Sequence, residues 1–213
     1  GRTMAVSARL DAAGPGLPRG PLADAARGPI SLQADATVTD TTVSLSEARL
    51  SAGPLGLVMS GEYDRAGDRL DATAVLQAAE PGPVAGLLDG ISWRGLRLQA
   101  KIDLVSVRER PQGSIALNGA IEDLSLAALD PRFPPPGRVT LEARVGVRDE
   151  TFTLEALDLA SAPASIKGGG SYVVATATGE GHATIEVPDL AALSALAGRP
   201  LTGRASIDIS ARS

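Results

Sequence analysis

Side chains able to do acid–base or metal chemistry are scattered along this chain rather than grouped in a motif. Its one histidine is His182, and a histidine acting as a general base needs an acid or nucleophile placed against it. No motif in the sequence supplies that group, so we favour an exposed histidine at a strand edge. There is no cysteine, which excludes disulfides, thiolate zinc sites and cysteine nucleophiles. We therefore expect no catalytic residue, no metal site, no cofactor and no enzymatic activity.

Acidic pairs and glycine-rich segments are the remaining candidates for a small-ligand site. Glu122 and Asp123 are adjacent, but calcium takes about six to eight oxygens, so solvated turn carboxylates are favoured. The segment Gly14–Gly20 carries prolines where a phosphate-binding loop needs N–H donors. Gly168–Gly170 falls where a strand is expected, and three glycines there indicate a β-bulge or tight bend, with a phosphate-cradling loop as the alternative.

Composition restricts the partners further. The net charge of −5 comes from mixed signs, and no basic stripe is visible, so nucleic acid is excluded as a partner. Hydrophobic residues make up 44% of the chain but aromatics only 2%, so its apolar surfaces are aliphatic. We expect Trp93 to pack over a helix–strand junction, with an interfacial anchor as the alternative.

Most of the chain alternates apolar and polar residues with period two, as in Leu96–Leu104 and Val139–Val147. Successive strand side chains point to opposite faces, so each such segment predicts a strand with one aliphatic and one polar face. Four short segments break this period and predict helices, at about residues 21–27, 83–89, 124–129 and 189–197. The last is the clearest, because Asp189 supplies a cap and Gly198 a stop.

An internal repeat sets the expected architecture. Gly28–Tyr63 aligns with Gly137–Tyr172 without a gap, and 11 of the 36 pairs are identical. The shift in residue number is constant along this alignment, equal to that from Gly28 to Gly137, and is called the repeat offset below. A repeat this long predicts a stacked, elongated architecture. We expect a mostly-β fold of antiparallel strands with short interrupting helices. The chain would be one continuous repeat fragment over residues 1–213, with units at about 21–82, 83–123, 124–188 and 189–213.

The aliphatic strand face has two interpretations. Two such faces could close on each other as a sandwich or solenoid core, which periodicity alone favours. Alternatively, the sheet bends into a trough whose inner face carries lipid. The residues expected to line that groove are Ile30, Leu32, Val38, Leu45, Leu57, Leu96, Leu98, Ile102, Leu104, Ile115, Leu117, Val139, Leu141, Val145, Val147, Leu154, Ile166, Val174, Ile185, Ile207 and Ile209.

Two stretches resemble a known family. Val187–Ile209 contains a leucine-rich helix, then Leu-Ala-Gly-Arg-Pro-Leu-Thr-Gly and an alternating strand. This resembles the linker-and-strand unit of the TamB family, the AsmA-like inner-membrane component of the translocation and assembly module. Thr151–Ser161, followed by a glycine-rich strand, is similar to another unit of that family.

The resemblance implies an elongated periplasmic protein of Gram-negative bacteria, with its sheet curled into an open trough, or β-taco. It implies phospholipid movement between the inner and outer membranes, support of outer-membrane biogenesis, an inner-membrane anchor and an Omp85-type barrel partner, TamA. This chain would then be an internal piece whose groove binds phospholipid acyl chains. The alternative is a scaffold or chaperone-like component that binds client β-strands.

Overall fold

The computed structural model describes residues 3–13, 29–80, 91–126 and 130–212. Twelve antiparallel strands form one sheet in which each strand pairs with the strands before and after it in sequence. The expected mostly-β fold, an elongated open trough of antiparallel strands, is confirmed. The strands are β1 Met4–Ala13, β2 Pro29–Val38, β3 Thr42–Ala52, β4 Leu55–Asp64, β5 Arg69–Ala78, β6 Gly95–Val105, β7 Gln112–Leu124, β8 Gly137–Arg148, β9 Thr151–Ala160, β10 Ser165–Val173, β11 Thr178–Val187 and β12 Ala205–Arg212.

The strands end at turns that their own polar residues stabilise. The hydroxyl of Thr39 accepts a hydrogen bond from the Thr42 amide at 2.9 Å, and Asp64 Oδ1 accepts one from the Ala66 amide at 2.9 Å. Asp149 has φ 53° between β8 and β9, a left-handed conformation that Asp tolerates better than most residues. These short turns join β2 to β3, β4 to β5 and β8 to β9 as hairpins.

The predicted helix at residues 189–197 is confirmed as a 3-10 turn, Leu190–Leu193, followed by the helix α1, Ser194–Ala197. Asp189 caps the turn, since its side chain accepts from the Ala191 amide at 2.8 Å. Gly198 ends α1 with φ 67°. The predicted helices at 21–27 and 83–89 lie outside the described residues. Of the segment 124–129, Leu124 instead ends β7, and residues 127–129 are not described.

Trp93 packs just before β6 and is 7% exposed, which confirms that it is a packed residue. Its neighbour Ser92 forms an isolated bridge with Ser125, just after β7. Within the described part of the chain, the indole Nε1 has no hydrogen-bond partner.

The repeat offset also relates the strands to one another. Shifted by that offset, each of the strands β1 to β6 begins within one residue of the start of its counterpart among β7 to β12. The irregularities match too, because the extra residues of the β-bulges, Ser46 in β3 and Glu155 in β9, are counterparts at the same offset. The sheet is therefore two successive six-stranded units joined without a break. The finer units at about 21–82, 83–123, 124–188 and 189–213 stay a prediction.

The bulge expected around Gly168–Gly170 is confirmed, because the β9–β10 register shifts between Gly168 and Gly170. The extra residue belongs to β9, and the glycines of β10 lie opposite it. A Cβ on Gly170 would lie 2.5 Å from the Glu180 carbonyl oxygen. Glycine is therefore required by the close approach of β11 to this bulge rather than by a phosphate.

Candidate apolar groove

Strand register sorts the side chains of the sheet into two faces, because residues directly opposite each other across a ladder project to the same side. One face, here called the apolar face, is crossed by a line of opposed residues that we call the leucine row. The leucine row runs through all twelve strands and contains only leucine, isoleucine and one glycine. Its members are Leu10, Leu32, Leu50, Leu57, Leu76, Leu98, Gly119, Leu141, Leu159, Ile166, Ile185 and Ile207.

Parallel rows beside the leucine row have the same character. One passes through Ile102, Ile115 and Val145, and another through Leu104, Gly113 and Val147. Across the described strands, no charged side chain occupies a paired position on the apolar face. The apolar face is therefore a continuous uncharged surface, aliphatic except at the aromatic residues Tyr63, Phe152 and Tyr172 near the strand ends.

The structure places 20 of the 21 expected groove residues at paired positions of the apolar face. The exception is Val174, which lies in the turn after β10 and is 51% exposed. Its amide donates to the Glu150 carbonyl oxygen at 2.9 Å. Val174 continues the alternation in sequence, but the hairpin turns at that point, so Val174 lies outside the paired positions of the face.

The opposite face, here called the polar face, carries the charged residues. Arg69 and Asp103 pair across β5 and β6 at 3.2 Å, and the Thr184 hydroxyl donates to Asp208 at 2.6 Å across β11 and β12. The side chains of Arg69 and Asp103 are 49% and 43% exposed, so a pair of this kind adds little stability. The main effect of these pairs is to keep one side of the sheet hydrated.

No second layer covers the apolar face within the described residues. The buried hydrophobic residues of the strands are Ala48, Ala78, Val139, Val147 and Val187, and every one of them lies on this face. Yet no described side chain is less than 2% exposed. The closed sandwich core that periodicity alone favoured is therefore wrong for the described residues. The alternation of apolar and polar residues along a strand shows which face is apolar, but it does not show whether another layer packs against that face.

The apolar face is also concave in places. A depression of about 270 Å³ lies against Val43, Leu45, Met59, Leu70 and Ala72. It sits beside the bulge of β3, where an extra residue increases the local bend and twist of a strand. The bulge thus shapes the surface on which the aliphatic side chains lie.

A polar cluster that sequence reasoning missed lies at the ends of β4, β5 and β6. Tyr63, on the apolar face, donates its hydroxyl hydrogen to Asp68 Oδ1 at 2.6 Å. Arg108 Nε donates to the same hydroxyl at 2.6 Å, and its guanidinium lies 5.5 Å from the ring centroid. The Tyr63 hydrogen bond, with a second from the Arg108 amide, lowers the pKa of Asp68. The long separation of Tyr63 and Arg108 in sequence hid this contact, since no local pattern joins them.

His182 lies on β11 and is exposed, as expected. It is not at a sheet edge, however, because β11 pairs with both neighbouring strands, and His182 faces Gly169 and Ser210. In the described part of the chain, no group of three or more His, Asp or Glu side chains could hold a metal ion. The single histidine is thus a solvated residue of the polar face.

Comparison of the chain with known proteins identifies no relative. No family model, curated protein or solved structure matches the chain. Among the described residues, no helix is both long enough and apolar enough to cross a membrane.

Proposed function

We propose that the apolar face binds phospholipid acyl chains and conducts them between the inner and outer membranes. The observation that carries this proposal is the leucine row, which crosses all twelve strands without a charged residue. Neighbouring strands lie about 4.8 Å apart, so the row provides a path of roughly 50 Å. The side chains along it are half-buried in the inner strands and exposed at Leu10 and Ile207, so part of each remains available to a ligand.

The energetics of lipid movement fit such a surface. Exposing a sixteen-carbon acyl chain to water costs about 13 kcal/mol, at about 0.8 kcal/mol per CH₂. An aliphatic trough removes much of that barrier over its whole length. Because the rows are uniform in chemistry, an acyl chain can slide from strand to strand without a strong preferred stop. Transport of this kind needs binding and release alone, so no catalytic residue is required.

The setting of the whole protein is part of the same proposal. The TamB-like stretches support a periplasmic location, an inner-membrane anchor elsewhere in the longer protein and an Omp85-type barrel such as TamA as its outer-membrane partner. The charged polar face suits an aqueous compartment, since it keeps the sheet hydrated while lipid occupies the other side. Phospholipid delivered along the apolar face would support outer-membrane biogenesis.

Native mass spectrometry of the purified chain, followed by lipid extraction, tests acyl-chain binding. We expect co-purified phospholipid, lost in Leu98→Asp and Leu141→Asp, which place charge in the leucine row. Val58→Asp is the matched control, because Val58 is an exposed aliphatic residue on the polar face and should retain the lipid. Circular dichroism checks that each variant is folded. A lipid-free wild type, or equal loss in Val58→Asp, would contradict the proposal.

A scaffold for client β-strands, which would pair with the outer strands of the sheet, is the second candidate. β1 and β12 each have one paired neighbour among the described strands, and a free edge offers main-chain hydrogen bonds to an extended peptide. Fluorescence anisotropy of labelled peptides from outer-membrane β-strands would test it. Saturable binding that lipid does not displace would support the scaffold, and no binding would remove it.

A further inference from the structure

Polar side-chain atoms on the apolar face are confined to one end of the strands. At the paired positions of the described strands, they are the hydroxyls of Tyr63 and Tyr172, the two tyrosines of the chain. Both belong to one line of opposed residues, here called the rim row, which runs from Tyr63 on β4 through Leu104, Val147 and Phe152 to Tyr172 on β10. We infer that a bound phospholipid lies along the strands, with its headgroup at the rim row and its acyl chains extending to the leucine row. This orientation rests on the proposed binding of acyl chains.

The opposite ends of the strands carry aliphatic side chains instead. The outermost apolar row there includes Ile30, Leu55 and Leu96, and none of its described members has a polar side chain. Trp93 and Phe133 also lie at this end, but in connections outside the paired positions. The apolar face therefore grades from an amphipathic end to a purely aliphatic end, as a phospholipid does.

The aromatic rings of the rim row are placed to contact a ligand. Phe152 and Tyr172 lie opposite each other on β9 and β10 and are 41% and 46% exposed. The Tyr172 ring lies against Gly179 of β11, where a Cβ would come 3.2 Å from Tyr172 Cδ2. A tyrosine ring with its polar tip suits the boundary between hydrocarbon and water. In a phospholipid that boundary is the ester region, which joins the acyl chains to the headgroup.

Arg108 adds a positive charge beside Tyr63. Its Nε donates to the Tyr63 hydroxyl at 2.6 Å, its Nη2 donates to the Arg65 carbonyl oxygen at 3.4 Å, and its side chain is 58% exposed. Guanidinium N–H groups pair well with phosphate oxygens. Asp68 Oδ1 lies 3.6 Å from the same Nε and offsets part of the charge. Arg108 therefore holds a lipid phosphate weakly, which lets the lipid move on.

The length of the strands matches the length of an acyl chain. From Tyr63 to Leu57, which belong to the rim row and the leucine row of β4, the distance is about 20 Å at about 3.3 Å per residue. Acyl chains fill one leaflet of the bilayer core, about 15 Å or half of its thickness. Chains attached at the rim row therefore reach the large aliphatic side chains of the leucine row. Movement from strand to strand then carries the headgroup along the rim row.

The connections between strands also differ at the two ends. At the rim row they are short turns, at residues 39–41, 65–68, 106–111, 149–150 and 174–177. The longest connections, residues 14–28, 79–94, 125–136 and 188–204, all join strands at the opposite end. A hydrated headgroup at the rim row is thus bordered by short turns, beyond which it projects into solvent.

Nitroxide-labelled lipids test the orientation, because the chain contains no cysteine and a single one can be labelled. Leu104→Cys and Leu96→Cys, each carrying a bimane fluorophore, place probes at the two ends of β6 on the apolar face. The chain is incubated with phosphatidylcholine vesicles, which are then removed by centrifugation. We expect a nitroxide on the headgroup to cause the greater loss of fluorescence at Leu104→Cys. A nitroxide near the acyl methyl end should cause the greater loss at Leu96→Cys.

The outcomes separate the orientation from lipid binding itself. Equal quenching at the two positions, or the reverse pattern, would overturn the orientation and still support acyl-chain binding. No quenching by either lipid at either position would contradict the proposed function and the orientation with it. Circular dichroism checks the fold, and Val43→Cys with Ala52→Cys repeats the comparison on β3 if a β6 variant does not fold.

Replacing Arg108 tests the phosphate contact separately. Arg108→Gln should weaken binding of phosphatidylglycerol about two- to fivefold, as expected for a solvent-exposed ion pair, and Arg108→Lys should restore part of the loss. Binding of diacylglycerol, which has no phosphate, should not change. Arg138→Gln is the control, because Arg138 is an exposed arginine at the opposite strand ends, paired with Glu122. Equal weakening for both lipids, or the same effect in Arg138→Gln, would overturn the placement of the phosphate at the rim row.

Discussion

Replacing Gly61 with alanine tests the packing around the β3 bulge. A Cβ on Gly61 would lie 2.6 Å from the Asp71 carbonyl oxygen and 2.9 Å from Ala72 Cα. Both are backbone atoms of β5, so the strand itself must shift. Overpacking of this kind costs about 1–3 kcal/mol, while loss of the glycine's freedom in the unfolded chain returns about 0.4–1 kcal/mol. We therefore expect Gly61→Ala to destabilise the fold by about 1–2 kcal/mol.

Gly56 provides the matched control in the same strand. No heavy atom lies within 4 Å of a Cβ built on it, so Gly56→Ala keeps the gain and avoids the clash. The two variants should differ by about 2 kcal/mol in urea denaturation followed by far-ultraviolet circular dichroism. Equal stability of Gly61→Ala and Gly56→Ala would refute the close approach of β4 and β5 beside the bulge.

Gly170→Ala extends the same test to the second unit. Gly170 is the counterpart of Gly61 at the repeat offset and is as tightly enclosed. Trp93, the only tryptophan, lies just before β6, where the first unit meets the second, and its fluorescence reports on that junction. If the sheet unfolds as one cooperative body, Gly170→Ala should lower the Trp93 transition along with the circular dichroism transition. Separate unfolding of the units would instead split the circular dichroism transition into two steps, of which Gly170→Ala shifts only one.

Three further outcomes follow from local contacts. Arg132 lowers the pKa of Asp130 to about 2 through its side-chain and backbone hydrogen bonds. The stabilisation is therefore present above about pH 4 and lost as the pH falls towards 2, and a carboxyl NMR titration should find that pKa raised in Arg132→Ala. Gly119→Ala should destabilise the fold, since its Cβ would collide with Leu98 Cδ2 and lie 2.9 Å from a backbone carbonyl oxygen; Leu98→Ala in that background should recover part of the loss in a double-mutant urea cycle. Asp189→Ala should remove the cap of the 3-10 turn and lower the stability of the turn by about 1 kcal/mol. Hydrogen exchange of the Ala191 amide, which donates to Asp189, should become faster.

Local patterns in the sequence predicted the strands and their faces, since a period of two assigns each side chain to one side of a sheet. Leu96–Leu104 and Val139–Val147 became β6 and β8 with their aliphatic residues on the apolar face. Asp189 and Gly198 marked the ends of the helical segment for the same local reason. These features depend on residues within a few positions of one another.

Features that depend on distant residues were not predictable in the same way. Whether anything packs over the aliphatic face depends on the path of the sheet, and periodicity alone pointed to a closed core. The contact of Tyr63 with Arg108 forms only because two turns reach the same end of the sheet. Val174 was expected within a strand and lies in a turn, because alternation continues through a turn without marking it.

The strict order of the strands has a consequence for how the chain acquires its structure. Each strand from β1 to β12 pairs only with its immediate neighbours in sequence, so every pairing joins two strands that directly follow each other along the chain. Such a sheet can be laid down one hairpin at a time from either end, because no strand waits for a distant partner. During synthesis, each new strand covers the edge left by the strand before it. The growing sheet therefore presents one unpaired edge at its growing end, whatever its final length.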